Sequence, residues 1–395
     1  MTDTSVADQE VSRFMVSTAC VVYLFGYAGY CFSETLGIIR YLVYAVPPIL
    51  VASLILQRAP KINNFARSYF LAYLSLGYVT YLIGIKNTAF FLNDFIIIVL
   101  VIVGFVPVIS VSFDHIRNVF FCSVAYFALA YALEGHGGVR LFQILESGTG
   151  SGLEDGFDNH QGGLVGPVYA VFFGAIGAKV PFILALVMSV LGGKRIGIVA
   201  ILVGLIAFWL FRRVTALQER RVRFIVLLAG LTAINLTASN LVSIFEYLHH
   251  NLETSVSIEE IMLGRYAIGA EMTHVIENRS LMQSLVGFGP GSANALATLI
   301  SGGGLGEPHN DWLKILYDYG MLGSILITVF LALVFSSSRI AAVIALTSAT
   351  IMATNNVAIY LYYQIPIVLM VAYSAKRASG TAELDNAPAA RPIEV

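Results

Sequence analysis

Three places in this chain put a residue able to do proton or phosphate chemistry at the edge of an apolar run. The first is His309, in Gly-Glu-Pro-His-Asn-Asp-Trp-Leu-Lys-Ile-Leu-Tyr-Asp-Tyr-Gly-Met-Leu-Gly, residues 306–323, which joins a long polar loop to an apolar stretch. Pro308 suits the opening turn of a helix, Trp312 to Tyr319 continue it, and Gly320 is placed to end it. His309 would then sit near the positive end of a helix. That end favours a bound anion and disfavours protonation of the imidazole, keeping it available as a base. The competing role is a structural, hydrogen-bonding histidine.

The second is Arg265, inside a run from Val256 to Leu285 that reads as one helix lying along a membrane. Ile258, Ile261, Met262, Ile268, Met272, Val275 and Ile276 recur at the spacing of one helical face, and Arg265 interrupts that stripe. An arginine there either snorkels its stem to water or clamps a phosphate with its two-pronged guanidinium. The third is Lys194-Arg195, in Gly-Gly-Lys-Arg-Ile-Gly-Ile, at the start of another apolar run. Interfacial snorkelling and an anionic headgroup are both open there. Arg279, Asn310, Lys194, Gly289 and Gly291 complete the candidate substrate-binding set. The two glycines belong to Gly-Phe-Gly-Pro-Gly-Ser, which is either a phosphate-cradling loop or a turn that lets backbone pack closely; no P-loop lysine follows it.

The elements that must position these residues are membrane helices. The 395 residues are 57% hydrophobic and 12% charged, with mean hydropathy +0.79. Soluble domains average about 25% charged residues. Apolar runs long enough for a hydrocarbon core of roughly 30 Å recur along the chain. The expected fold class is all-α: a polytopic membrane bundle of about twelve helices with a large helical loop on the outer side. Spans are expected at 14–32, 36–56, 65–85, 90–110, 118–134, 164–178, 180–193, 195–211, 222–242, 317–335, 338–354 and 356–374.

Orientation follows from the basic residues, which concentrate on the cytoplasmic side of membrane proteins. Arg212, Arg213, Arg220, Arg221 and Arg223 form the densest cluster. Placing it inside also places Arg13, Arg58, Lys61, Arg67, Arg117, Lys179, Arg339, Lys376, Arg377 and Arg391 inside. Glu146, Glu154, Asp155 and Asp158 then fall outside, both termini are cytoplasmic, and the segments 135–163 and 243–316 face outward. The organisation expected is 1–160 (five spans and the first outer loop), 161–242 (four spans), 243–316 (the large outer loop), 317–374 (three spans) and 375–395 (a disordered cytoplasmic tail). The first span, with only Arg13 ahead of it and no clear cleavage site, reads as a retained signal anchor.

A net charge of −1 without a basic stripe argues against nucleic acid as a partner. Cys20, Cys31 and Cys122 lie in apolar spans and imply neither disulfides nor a metal site. Glu246 with His249 and His250 is too small a ligand set for metal. Arg40, Glu34 and Asp94 near outer span ends could line an access groove or pair with each other, and Arg140 and His160 have no assigned role.

The ordered set Gly193-Lys194-Arg195, Gly264-Arg265, Gly287-x-Gly289-x-Gly291 and His309-Asn310 followed by Gly320 to Gly323 resembles the O-antigen ligase and polymerase superfamily, membrane glycosyltransferases of the GT-C type. The resemblance covers about residues 160 to 335. Lysine precedes Arg195 where many members carry serine. The resemblance implies transfer of a glycan from undecaprenyl diphosphate to an acceptor hydroxyl, at the periplasmic face of a bacterial inner membrane, with no metal or other cofactor. It implies that Arg195 and Arg265 neutralise the diphosphate and that His309 accepts or orients the hydroxyl proton. The acceptor would be a second lipid-linked glycan in a polymerase or lipid A-core in a ligase. The polymerase is preferred because such enzymes outnumber ligases. A chain-length regulator and a flippase are candidate partners beside the lipid bilayer itself. Two other classes stay open: a twelve-span transporter, against which no internal repeat is visible, and a non-catalytic export scaffold.

Overall fold

A computed structural model describes residues 3–32, 37–56, 75, 111–133, 160–252, 266–302, 308–355 and 357–378. The expected spans 65–85 and 90–110, Arg265, Arg140, Glu34, Asp94, residues 303–307 and the tail from 379 lie outside them, residue 75 apart. Among the described residues every regular element is helical. They form α1 (Asp3–Cys31), a 3-10 stretch (Gly37–Ala45), α2 (Val46–Leu56), α3 (Phe113–Leu133), α4 (His160–Ile176), α5 (Lys179–Leu191), α6 (Arg195–Arg213) and α7 (Arg220–Ser239). After these come α8 (Leu241–Leu252), α9 (Tyr266–Glu277), α10 (Leu281–Val286), α11 (Ser292–Ile300), α12 (Asp311–Phe335), α13 (Arg339–Met352) and α14 (Leu361–Ala378).

Among the described residues, four helical segments have the length and hydropathy to cross a membrane: Glu10–Cys31, Arg195–Arg213, Arg220–Ser239 and Asp311–Phe335. Shorter apolar helices occupy Ile38–Leu50, Gly162–Ile176, Lys179–Leu191 and Arg339–Met352. Large apolar side chains point away from the protein along these helices, among them Leu202, Ile206 and Trp209 on α6 and Ile225 and Leu236 on α7. A helix that is apolar all round belongs in lipid. Among the described residues the chain is an all-helical membrane protein.

Side-chain size decides how closely the helices approach. A Cβ at Gly192 would lie 2.0 Å from the backbone nitrogen of Gly163, so the α4–α5 hairpin closes backbone against backbone. Small residues at helix crossings are the usual membrane solution, because lipid offers no hydrophobic drive for helices to associate. An aromatic cluster joins α4 to two further helices: Phe113 and Phe120 of α3 and Tyr373 of α14 meet around Tyr169 and Phe173 of α4.

α6 and α7 are joined by the short turn Thr215–Gln218, so they run antiparallel. With 19 and 20 residues they rise about 28–30 Å. Arg195 and Ser239 therefore share the end of the bundle opposite Arg212, Arg213, Arg220 and Arg221. At that opposite end Arg223 is buried, and its Nε donates to the Ser336 carbonyl at the close of α12 (2.8 Å). Its Nη1 donates to the carbonyls of Leu217 and Gln218 (3.2 and 3.0 Å).

α12 is not straight. Gly320 has φ 63° and ψ −164°, splitting it into a first arm, 311–319, and a second arm, 321–335. The carbonyls that end the first arm take donors from outside the helix: Leu316 from Arg279 Nη1 (3.3 Å), Tyr317 from Phe288 N (3.0 Å) and Asp318 from Gly289 N (2.9 Å). Asn310 Nδ2 donates to Ala238 O (2.8 Å), while Asn235 Nδ2 donates to Thr328 Oγ1 (3.3 Å). Positions 310 and 328 thus meet the same turn of α7. A straight helix would hold them roughly 27 Å apart, so the arms fold back at Gly320. The expected span 317–335 shrinks to the second arm, and Gly320 ends a helix as its sequence context predicts.

A Cβ on Gly320 would meet Leu285 O at 2.5 Å and Gly287 N at 2.6 Å. Gly320→Ala is therefore expected to cost more than the ~1–3 kcal/mol of a strained backbone residue alone. The check is a lowered thermal midpoint in detergent together with new protease cleavage between residues 278 and 290. Unchanged cleavage would mean that the break does not hold this segment in place.

Two more expectations change. The helix expected over 256–285 is interrupted at 278–280, where Ser280 and Gln283 form a reciprocal capping box that starts α10. Its stripe does not lie on lipid over 266–277, because Met272, Ile268, Val275 and Ile276 pack on Ala293, Leu313 and Tyr317. The expected span 36–56 begins as a 3-10 helix, with the α-helix only from Val46.

Candidate functional site

Asn310 is the residue that fixes the start of α12. Its side-chain oxygen accepts from Leu313 N (3.0 Å) as an N-cap, and its amide nitrogen holds Ala238 at the end of α7. His309 is the residue before the cap, half-buried, and Pro308 precedes it rather than occupying the first turn. Proline is not what begins this helix: the Asn310 side chain already satisfies the orphan amide.

The residues after the cap tie this corner down. Asp311 is buried, and its Oδ2 accepts from Ala358 N (2.8 Å) in the 3-10 turn before α14. Trp312 is fully buried, its indole N–H donating to Ala349 O near the end of α13 (2.9 Å). His309 is thereby held where α7, α12, α13 and the approach to α14 converge.

Arg195 is the first residue of α6 and exposed; Lys194 is its N-cap and half-buried. The turn that carries them packs on the start of α4, where a Cβ at Gly163 would come within 2.6 Å of Lys194 Cγ. α6 and α12 both pack on α13. Arg195 and His309 therefore stand at helix starts on the same end of the bundle, the end remote from the arginine cluster. Arg265 lies outside the described residues, one position before Tyr266 begins α9. The Tyr266 hydroxyl donates to Glu246 Oε1 (2.6 Å), which engages the carboxylate considered alongside His249 and His250.

The glycine loop serves the protein itself. Gly289 N is taken by the Asp318 carbonyl, and Gly291 N donates to Asp318 Oδ2 (3.2 Å). Ala293 N donates to Asp318 Oδ1 (2.7 Å), so Asp318 caps the first turn of α11. Lys314 Nζ lies 3.5 Å from Asp318 Oδ2, with Asp318 fully buried and Lys314 7% exposed. Asp318 occupies the anion position that a phosphate would take at these amides. The close-packed turn is the role the geometry gives Gly289 and Gly291.

Arg279 is half-buried, with Nε donating to Ser284 Oγ (3.1 Å) and Nη1 to Leu316 O. Burial lowers its guanidinium pKa from the ordinary value, but arginine stays charged in proteins. Asp311, Lys314 and Asp318 were not singled out from sequence. The available signal was the Lys-x-x-x-Asp spacing, which puts both on one helical face. No family model, curated protein or solved structure matches the chain.

Proposed function

We propose that this protein is a metal-independent membrane glycosyltransferase of the O-antigen ligase and polymerase kind, acting at the periplasmic face of a bacterial inner membrane through a twelve-span frame with both termini in the cytoplasm. The donor is an undecaprenyl-diphosphate-linked glycan. The acceptor hydroxyl oxygen attacks the anomeric carbon, the bond from that carbon to the diphosphate oxygen breaks, and the hydroxyl proton passes to His309. Arg195 and Arg265 stabilise the negative charge that develops on the departing lipid diphosphate. A single direct displacement inverts the anomeric centre. Polymerisation, with a second lipid-linked glycan as acceptor, is preferred over ligation to lipid A-core.

One observation carries this reading. Lys194-Arg195 and His309-Asn310, far apart in sequence, open two helices on the same end of the bundle, and both helices rest on α13. The arginine cluster at the other end supports a cytoplasmic assignment there, which puts the pair outside.

The test uses the purified full-length protein in lipid nanodiscs, undecaprenyl-diphosphate oligosaccharide, a chelator, and lipid A-core present or absent. A product ladder without lipid A-core means polymerase; transfer only onto lipid A-core means ligase. Arg195→Ala is expected to lower transfer about 10²-fold or more, as loss of one charge-stabilising donor does elsewhere. No transfer to either acceptor, or full activity in Arg195→Ala, would remove this mechanism and bring the transporter or scaffold class forward.

A further inference from the structure

We infer that α10 is an interfacial membrane anchor, a short amphipathic helix that lays Leu281, Met282 and Leu285 into the outer leaflet beside the break in α12. Within its six residues the sides divide cleanly. Gln283 and Ser284 are half-buried, Gln283 closing the capping box with Ser280 and Ser284 accepting from Arg279. Leu281, Met282 and Leu285, at relative positions one, two and five, are 78%, 65% and 38% exposed. Three exposed apolar side chains on one turn-and-a-half, beside a half-buried polar side, call for an apolar surround.

The bilayer is the surround that the fold supplies. The α10 end touches Gly320 through Leu285 O and Gly287 N. Directly below Gly320 the second arm exposes Met321, Leu322 and Ile325, at 50%, 42% and 55%. The six exposed apolar residues thus lie on two segments that meet at Gly320.

Depth agrees with this placement. From Gly320 to Ser336, held by Arg223 beside the arginine cluster, the second arm rises about 24 Å. The hydrocarbon core is roughly 30 Å thick. Gly320, and α10 with it, stand at the outer boundary of the hydrocarbon and not above the headgroups. Amphipathic helices bury their apolar face at that boundary. The expected membrane-lying segment of the outer loop is thus shifted. The 266–277 helix turns its stripe inward onto Leu313 and Tyr317, and 281–286 takes the lipid contact.

This inference rests on the span reading and on no catalytic chemistry, so its test reads depth and not activity. Leu281→Cys and Met282→Cys, each in the full chain with Cys122→Ser, are nitroxide-labelled and reconstituted in phosphatidylethanolamine–phosphatidylglycerol vesicles. Glu277→Cys, at an exposed position on α9, is the aqueous control. Collision with oxygen is expected to exceed collision with a nickel chelate at 281 and 282, with the order reversed at 277. Nickel dominance at 281 and 282 would place α10 in water. Protection from both reagents would mean that protein covers it. Either result overturns the anchor.

Discussion

Asp318→Ala is expected to destabilise the protein by about 3–5 kcal/mol, the penalty typical of breaking a buried ion pair from one side. The carboxylate is fully buried and serves Gly291 N, Ala293 N and Lys314 Nζ together. Removing it leaves a buried ammonium and two amide donors with no acceptor from residue 318. The measurement is equilibrium unfolding in mixed micelles, followed by a double-mutant cycle with Lys314→Met. If the pair is the keystone, the double variant recovers part of the loss, because the buried lysine charge that faced Asp318 is gone as well. Purely additive losses would show that the carboxylate acts through the α11 amides alone. A loss under about 1 kcal/mol, the scale of one ordinary hydrogen bond, would mean that the glycine loop docks by other contacts.

His309→Ala is expected to reduce glycan transfer by about 10²–10⁴-fold, the usual contribution of a positioned general base. The side chain comes just before the helix and is half-buried, while Asn310, Asp311 and Trp312 hold the corner through bonds of their own. The thermal midpoint should therefore change little. Asn310→Ala separates chemistry from scaffolding: it is expected to cost roughly 1 kcal/mol as a lost N-cap and to lower transfer by displacing His309. Equal losses of midpoint and activity in His309→Ala would assign the histidine a structural role. Full activity would remove it from the mechanism.

Composition is enough to make this a helical membrane protein, because 57% hydrophobic and 12% charged residues cannot cover a soluble surface. The sequence also placed the start of α6 at Arg195 and the end of a helix at Gly320. Both are local matters: an apolar run begins where two charges stop, and glycine alone takes a positive φ without strain. The break of 256–285 at Ser280 had a local sign too, in the Ser280–Gln283 capping spacing, but the longer stripe around it outweighed that sign.

What those local signals serve depends on contacts made between distant parts of the chain. The Gly-x-Gly-x-Gly turn looks the same whether its amides face a phosphate or a carboxylate. Asp318, twenty-seven residues beyond Gly291, is what fills them. The stripe of α9 is equally apolar against lipid or against Leu313, and packing chose the protein. Residues 311–335 satisfy the length and hydropathy of a single span, yet Gly320 folds the segment back so that Asn310 and Thr328 meet neighbouring residues of α7. Periodicity records which side of a helix avoids water. It does not record what covers that side, because the covering group lies elsewhere in the chain.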